Sequence, residues 1–401
     1  VGKRHTKTIT SKTHADLYSQ ALSARAWAVD HALPFWAQNA RDDDGGFYEE
    51  LRHNCAPNKA AIRRLRVQAR QIYTYSFAHE LGWYDGLSAA DKTLNFMLGK
   101  GFMPDGKNGF IHLLGPDYSV VDARRDLYDH AFYLLALAWH ARVSGQRSSL
   151  ALADSLLAFL DGALGADNGG YLEGLPLDDP RNALRRQNPH MHLLEAFMAL
   201  YDASGDKKYL ARADIIITLF KKHFFNRETG TVTEYFHRGW TPAHGAKGKT
   251  VEPGHAAEWV WLLGQYETRT QTDTRRYANA LYSNLAQMPG LYLNDELGED
   301  GTVRRATKRL WVQTELVKAH LTQAEFGDVT AQDKAAHMLE NILRDYLKPN
   351  GTWTDSLGEN GLPVYGPIPT STFYHILCMI AEACRSAGID TAKESRLYVQ
   401  S

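Results

Sequence analysis

GGFYEEL at 45–51, NGFIHLL at 108–114 and GGYLEGL at 169–175 are three copies of one signal, a glycine turn followed by alternating apolar and polar residues. Weaker copies follow as TGTVTEY at 229–235, PGLYLND at 289–295 and NGTWTDS at 350–356. The apolar residues at their centres are Phe47, Phe110, Tyr171, Val232, Tyr292 and Trp353, spaced by 63, 61, 61, 60 and 61 residues. Two positions on, each copy carries a polar residue: Glu49, His112, Glu173, Glu234, Asn294 and Asp355. The alternation reads as a short strand or hairpin, and the period reads as a repeat architecture.

Helical stretches lie between the copies. DLYDHAFYLLALAWHARV (126–143), HMHLLEAFMALYDA (190–203) and HAAEWVWLLGQYE (255–267) are apolar nearly all round, which marks helices buried on every side. YLARADIIITLFKKHFF (209–225) and AAHMLENILRDYL (335–347), which precede hairpins, are amphipathic. Each unit is therefore an amphipathic outer helix, a hairpin loop and a buried inner helix. An open stack of such units needs polar ends. The last inner helix, STFYHILCMIAEACRSAG (371–388), is as apolar as the middle ones, so the ring closes. No linker interrupts the period. The expectation is an all-α toroid of six helix pairs, an (α/α)6 barrel, as a single domain over residues 1–401 with 1–14 as a flexible tail.

The composition agrees with a soluble globular chain. Of 401 residues, 44% are apolar and 23% charged, and the net charge of -1 gives no global field for nucleic acid or an anionic membrane. Three cysteines, Cys55, Cys378 and Cys384, do not form a disulfide framework. The basic start VGKRHTKTITSK has no apolar segment after it, and no run approaches a membrane span. A cytoplasmic monomer or homodimer is expected, without membrane or nucleic-acid partners.

Each inner helix offers polar groups at a similar depth: Arg70, Asp129, His192, His255 with Glu258, Gln313 with Glu315, and His375. In a closed ring these converge on the axis, as a binding site requires. Asn188-Pro189 reads as the cap and first turn before His192, Pro253-Gly254 as the end of the chain leading to His255, and Thr370-Ser371-Thr372 as caps before His375. At a helix N-terminus the dipole disfavours imidazolium, so the three histidines are expected neutral, ready to act as bases. A lone histidine on an apolar helix is usually a satisfied core residue, and His130, His190 and His320 keep that reading. Three at matching positions of a repeat point to function instead.

His192 and His190 are two residues apart and face different ways, and His255-x-x-Glu258 is a possible metal pair that would need further ligands, so no metal is expected and Glu258 reads as a partner that orients an imidazole. Nor does any phosphate-cradling glycine motif occur; no cofactor is expected. Arginine pairs precede several inner helices: Arg63-Arg64, Arg124-Arg125, Arg185-Arg186 and Arg304-Arg305. They read either as a basic rim for an anionic sugar or as partners of hairpin acids such as Glu49 and Glu173.

The blocks RVQARQIYTYS (66–76), DLYDHAF (126–132), NPHMHLLEAF (188–197), EPGHAAEWVWLL (252–263), RLWVQTE (309–315) and STFYH (371–375) resemble the N-acylglucosamine 2-epimerase family, in its mannose and sulfoquinovose isomerase branch. The resemblance runs from about Leu33 to Arg385. It implies the same barrel. It also implies His255 and His375 as the acid/base pair and Arg70 on the sugar oxygens near the reacting carbons. Asn188, His192, Glu258, Trp311, Gln313 and Glu315 are implied as substrate-binding. Cellobiose 2-epimerases of this family carry a stacking tryptophan where this chain has Thr370, which lowers the disaccharide reading.

The chemistry implied is proton transfer through a cis-enediolate, with mannose going to fructose; 2-epimerisation is the alternative. Two rivals belong to other classes. A glycoside hydrolase would need two axial carboxylates, for which Glu258 and Glu315 are candidates. A non-catalytic sugar-binding protein would leave a reducing sugar unchanged.

Overall fold

The computed structural model describes residues 16–177 and 183–390. The tail expected over 1–14 lies outside them.

Outer helix α1 (Leu17–Ala26) runs through a π-helical turn, Trp27–Ala32, into α2 (Leu33–Asn39). Inner and outer helices then alternate. They are α3 (Leu65–Glu80), α4 (Leu87–Gly101), α5 (Leu127–Ser144), α6 (Arg147–Ala163), α7 (Gln187–Ser204) and α8 (Lys208–Leu219). A single turn, α9 (Gly245–Gly248), precedes α10 (Pro253–Thr270), and the order ends with α11 (Arg275–Ala286), α12 (Leu310–Glu325), α13 (Ala331–Asp345) and α14 (Phe373–Ser386). The inner helices are α3, α5, α7, α10, α12 and α14. Each packs on the next, and α14 returns to α3, so the toroid is closed. Trp36 of the first unit stacks on Trp353 of the last at 4.4 Å between ring centroids, and its Nε1 donates to the Gly351 carbonyl at 3.0 Å. Such a pair adds about 1 kcal/mol beyond its buried area.

The hairpins do two jobs. Within a unit, the central residue bridges back toward the end of the outer helix in five of the six copies: Phe47 to Arg41, Phe110 to Phe102, Tyr171 to Gly165, Val232 to Phe225 and Trp353 to Leu347. Between units, the strand before each inner helix pairs with the next unit's hairpin: Arg64 with Leu113, Arg125 with Leu175, Arg186 with Tyr235, Val251 with Leu297, Arg309 with Ser356. The last strand closes on the first through Glu50–Pro369 and Leu51–Ile368.

The fourth residue of four inner helices holds the hairpin beneath it. Gln68 bonds both the N–H and the carbonyl of Phe47 at 2.6 and 2.8 Å. His130 Nε2 accepts from the Phe110 N–H at 3.3 Å and His190 Nε2 from the Tyr171 N–H at 3.0 Å. Gly170, at φ 67, leaves room for that imidazole, since a Cβ would stand 2.8 Å from His190 Nε2. Gln313 does the same for Leu293, at 3.0 and 2.9 Å. The structural centre of the fifth hairpin is thus Leu293, one residue after Tyr292, and its acid is Asp295 in place of Asn294.

That register shows what the second hairpin position does. Its side chain reaches the first turn of the following inner helix or the strand before it. The pairs are Glu49 with Arg64, Glu173 with Arg186 at 2.6 Å, Asp295 with Arg309 at 3.2 Å, His112 with Asp129 at 2.6 Å, Glu234 with His255 at 3.0 Å and Asp355 with Thr372 at 2.9 Å. The first three arginine pairs each place one arginine as a fold pin, whereas Arg304 and Arg305 are exposed on the strand Val303–Arg305. Arg63 is buried against Asp42, Arg125 against Asp105, and Arg185 against Asn168 and the Gly169 carbonyl.

Candidate active site

The N-terminal turns of the inner helices carry the site. α7 begins at Gln187 with Arg186 as its cap, so Asn188 and Pro189 lie inside the first turn and not at the cap and first position. α10 begins at Pro253 with Glu252 as its cap, so Pro253-Gly254 opens the helix and does not end the preceding chain. Gly254 is small for a packing reason: a Cβ there would stand 2.5 Å from the Trp311 ring. The residues Thr370–Thr372 form a 3-10 turn leading into α14, with Thr372 bonded to Asp355 and not capping the helix.

Three histidine–glutamate pairs meet near the axis. His255 Nδ1 lies 3.0 Å from Glu234 Oε2 and 3.6 Å from Glu252. His375 Nδ1 lies 2.8 Å from Glu315 Oε1, and His192 Nδ1 lies 3.1 Å from Glu195 Oε2. A carboxylate accepts, so in each pair Nδ1 carries a proton and Nε2 is the nitrogen that the carboxylate does not engage. The Trp311 ring stands between the outer two, 5.5 Å from the His255 ring and 5.5 Å from that of His375. All three imidazoles are buried.

The histidines are not alike electrostatically. Burial pushes His375 well below the usual imidazole range, and Arg70 and Lys318 add to this. Burial also lowers His192, against the opposing pull of Glu195. Both are neutral, as expected from their position. His255 departs from that expectation. Burial alone would lower it, but Glu234, through its charge and its hydrogen bond, and Glu252 outweigh burial and raise it to about 9. His255 is an imidazolium at neutral pH, an acid facing a neutral base.

Arg70 stacks over Phe132 at 4.2 Å, donates to the Tyr128 hydroxyl at 2.8 Å and to the Ser371 carbonyl at 3.3 Å, and keeps an unpartnered Nε. Glu258 is buried with no hydrogen-bond partner on either oxygen among the described residues. Burial and the neighbouring Glu315 hold it well above the usual carboxyl range, so it is a neutral acid able to donate to a hydroxyl. The side-chain Oδ1 of Asn188 is likewise unpartnered among the described residues. Gln313 does not reach this cluster: it is fully buried and its amide is spent on Leu293, so its expected contact with a sugar is withdrawn. His130, His190 and His320 are satisfied core residues, the last through the Tyr282 hydroxyl at 2.8 Å.

Sequence reasoning missed Glu195, Glu252, Tyr128, Tyr374 and Lys318 as members of the cluster. Glu195 had a signal, since it repeats the three-residue spacing of His255 and Glu258. Tyr374 donates to it. Glu258, Glu315 and His375 each place one possible ligand atom within 4.8 Å of the others, as do His192, Glu195 and Glu258. Spacing along one helix could not show such sets, because they come from different helices. Beside Glu315 a cation is already built in, the Lys318 ammonium at 2.6 Å. A cavity of about 480 Å³ lies at the other, C-terminal ends of the inner helices, between Trp139, Trp261 and Arg269; of the histidine–glutamate pairs it touches only Glu195.

The charge on His255 gives a test. A raised folded-state pKa adds stability that is complete below the unfolded value near 6.5 and is lost as pH rises through about 9. In Glu234→Gln the strongest opposing charge is gone. The basic limb of the activity profile should move down by about one unit or more, and the stability loss, read by thermal melting, should be larger at pH 6 than at pH 10. An unmoved limb would show that His255 titrates independently of Glu234.

A closed helical toroid with buried histidine–carboxylate pairs beside an arginine is equipped for acid–base chemistry, and the family it belongs to makes it a carbohydrate isomerase or 2-epimerase. The chain belongs to the N-acylglucosamine 2-epimerase family, whose model matches residues 46–379. It is 34% identical over 386 residues to a mannose-6-phosphate isomerase of Rhizobium meliloti (strain 1021), covering 92% of this chain and 97% of that one. It is 29% identical over 272 residues to a D-mannose isomerase of Thermobifida fusca, covering 63% and 64%. The cellobiose 2-epimerase structure from Spirochaeta thermophila DSM 6192 superposes with a TM-score of 0.83 at 24% identity, over 93% of this chain and 97% of that one. Among the described residues no helix is long and apolar enough to cross a membrane.

Proposed function

We propose that the protein is an aldose–ketose isomerase that converts mannose to fructose without a cofactor. The observation that carries this is the unequal pair of histidines, one neutral and one charged, on either side of Trp311. His375 Nε2 takes the proton from C2 of the open-chain sugar, whose acidity comes from the C1 carbonyl. His255 gives a proton to O1 and receives that of O2. Arg70 stabilises the negative oxygen of the cis-enediolate. His375 then returns its proton to C1, which completes the ketose.

Thr370 favours a monosaccharide. It is fully buried, its hydroxyl bonds the Tyr48 carbonyl at 2.6 Å, and it offers no surface to a second sugar. A phosphorylated substrate is the second reading, favoured by the name of the 34% identical relative. Against it, Arg64, Arg66, Arg186 and Arg309 near the site are each already paired, with Glu49, Asp129, Glu173 and Asp295.

The test is incubation with mannose, mannose 6-phosphate and cellobiose in deuterated water, followed by NMR, with and without chelator. Fructose as first product, deuterium at its C1 and no effect of chelator are expected. Glucosyl-mannose from cellobiose with mannose untouched would overturn the reading, and turnover of the phosphate alone would transfer it to the second one.

A further inference from the structure

Lys318 is fully buried on α12, one turn after Glu315. Its ammonium lies 2.6 Å from Glu315 Oε2, 3.8 Å from the Cys378 sulfur and 3.8 Å from the Trp261 ring centroid. The other oxygen of Glu315 holds His375 Nδ1 at 2.8 Å. A charge without access to water is costly unless it is paired, so a lysine here needs a reason. The chain of contacts Lys318–Glu315–His375 supplies one. We propose that Lys318 is a positioning residue: it keeps Glu315 a carboxylate, and Glu315 thereby keeps His375 in the tautomer whose Nε2 is free.

The proposal rests on reading His375 as the proton carrier. Several charged and titratable groups face the lysine or the Glu315–His375 pair it supports: Glu195 and His192 from α7, Glu258 and His255 from α10, Glu315 on α12, His375, Tyr374 and Cys378 from α14, and Tyr73 and Arg70 from α3. Three of these are carboxyl groups, and Lys318 is the cation that ion-pairs with one of them. Burial pushes the Glu315 carboxyl up, and Lys318 is the first group that pulls it back. Without the ammonium, Glu315 takes a proton. A neutral carboxyl can donate its O–H to Nδ1, which moves the imidazole proton to Nε2 and blocks the base.

Three substitutions separate charge from packing. Lys318→Arg keeps the charge and enlarges the side chain; Lys318→Met keeps length and volume without charge; Lys318→Gln keeps a neutral donor. Charge predicts Arg above Gln and Met, while packing predicts Met above Arg. The Gln and Met variants should lose about 10–100-fold in kcat at neutral pH with KM little changed, and the acidic limb of the profile should move up. Nitrogen-15 NMR of the histidines, which needs no turnover, should show His375 protonated on Nδ1 in the wild type and in Lys318→Arg, and on Nε2 in Lys318→Gln and Lys318→Met. A Met variant with wild-type kcat, or uncharged variants in which His375 stays protonated on Nδ1, would overturn the proposal. A wild type inactive on every sugar, but with the tautomer change intact, would instead sink the isomerase reading.

Discussion

In His375→Asn, kcat for mannose should fall about 10³-fold while KM changes little, because a positioned general base contributes about 10²–10⁴. Asparagine still donates to Glu315 through its amide, so the Glu315–Lys318 pair is kept and the helix start is undisturbed. What is lost is a basic nitrogen in a dry site. The check is steady-state kinetics together with the washout of deuterium from C2-labelled mannose. Washout should fall in step with turnover. If it continued at the wild-type rate while fructose formation stopped, His375 would act after proton abstraction and the base would be another group.

Arg70→Lys should cost about 10²-fold in kcat, although the charge is conserved. The guanidinium stands over Phe132 at 4.2 Å and is held by one bond from each η nitrogen, to Tyr128 and Ser371, which leaves a further N–H on each as an oriented donor. An ammonium cannot stack in that way or bond in a plane to fixed partners. It also cannot place a donor where charge develops on the enediolate oxygen without giving up the others. The comparison is kcat and KM for the Lys and Met variants. Similar large losses for both would show that fork geometry, and not charge alone, is what the reaction uses. Near wild-type kcat in Arg70→Lys would remove Arg70 from the role of oxyanion donor.

Residues implied by likeness do not all reach the sugar site. Gln313 sits in a block that resembles a sugar-binding one, yet it is the counterpart of Gln68, His130 and His190, all of which hold hairpins. Its position as the fourth residue of an inner helix was available in the sequence. Its role was masked because the fifth hairpin was centred on Tyr292 and not on Leu293.

The sequence by itself determined the period, the alternation of amphipathic and wholly buried helices, and the placing of Arg70, His192, His255, Glu258 and His375 on the inner ring. These follow from local pattern: a helix apolar on every side has to be inside, and a polar residue repeated at one depth of such a helix needs a partner, either a hairpin or a group at the axis. Only the tertiary structure decided the charge state of each group. His255 is an acid because Glu234 comes up from a hairpin and Glu252 stands at the cap of its own helix. Lys318 stays charged in the interior because α12 sets the Glu315 carboxylate against it and α7 brings Glu195 near. Burial and pairing are sums over neighbours from different helices, so they exist only once the ring has closed.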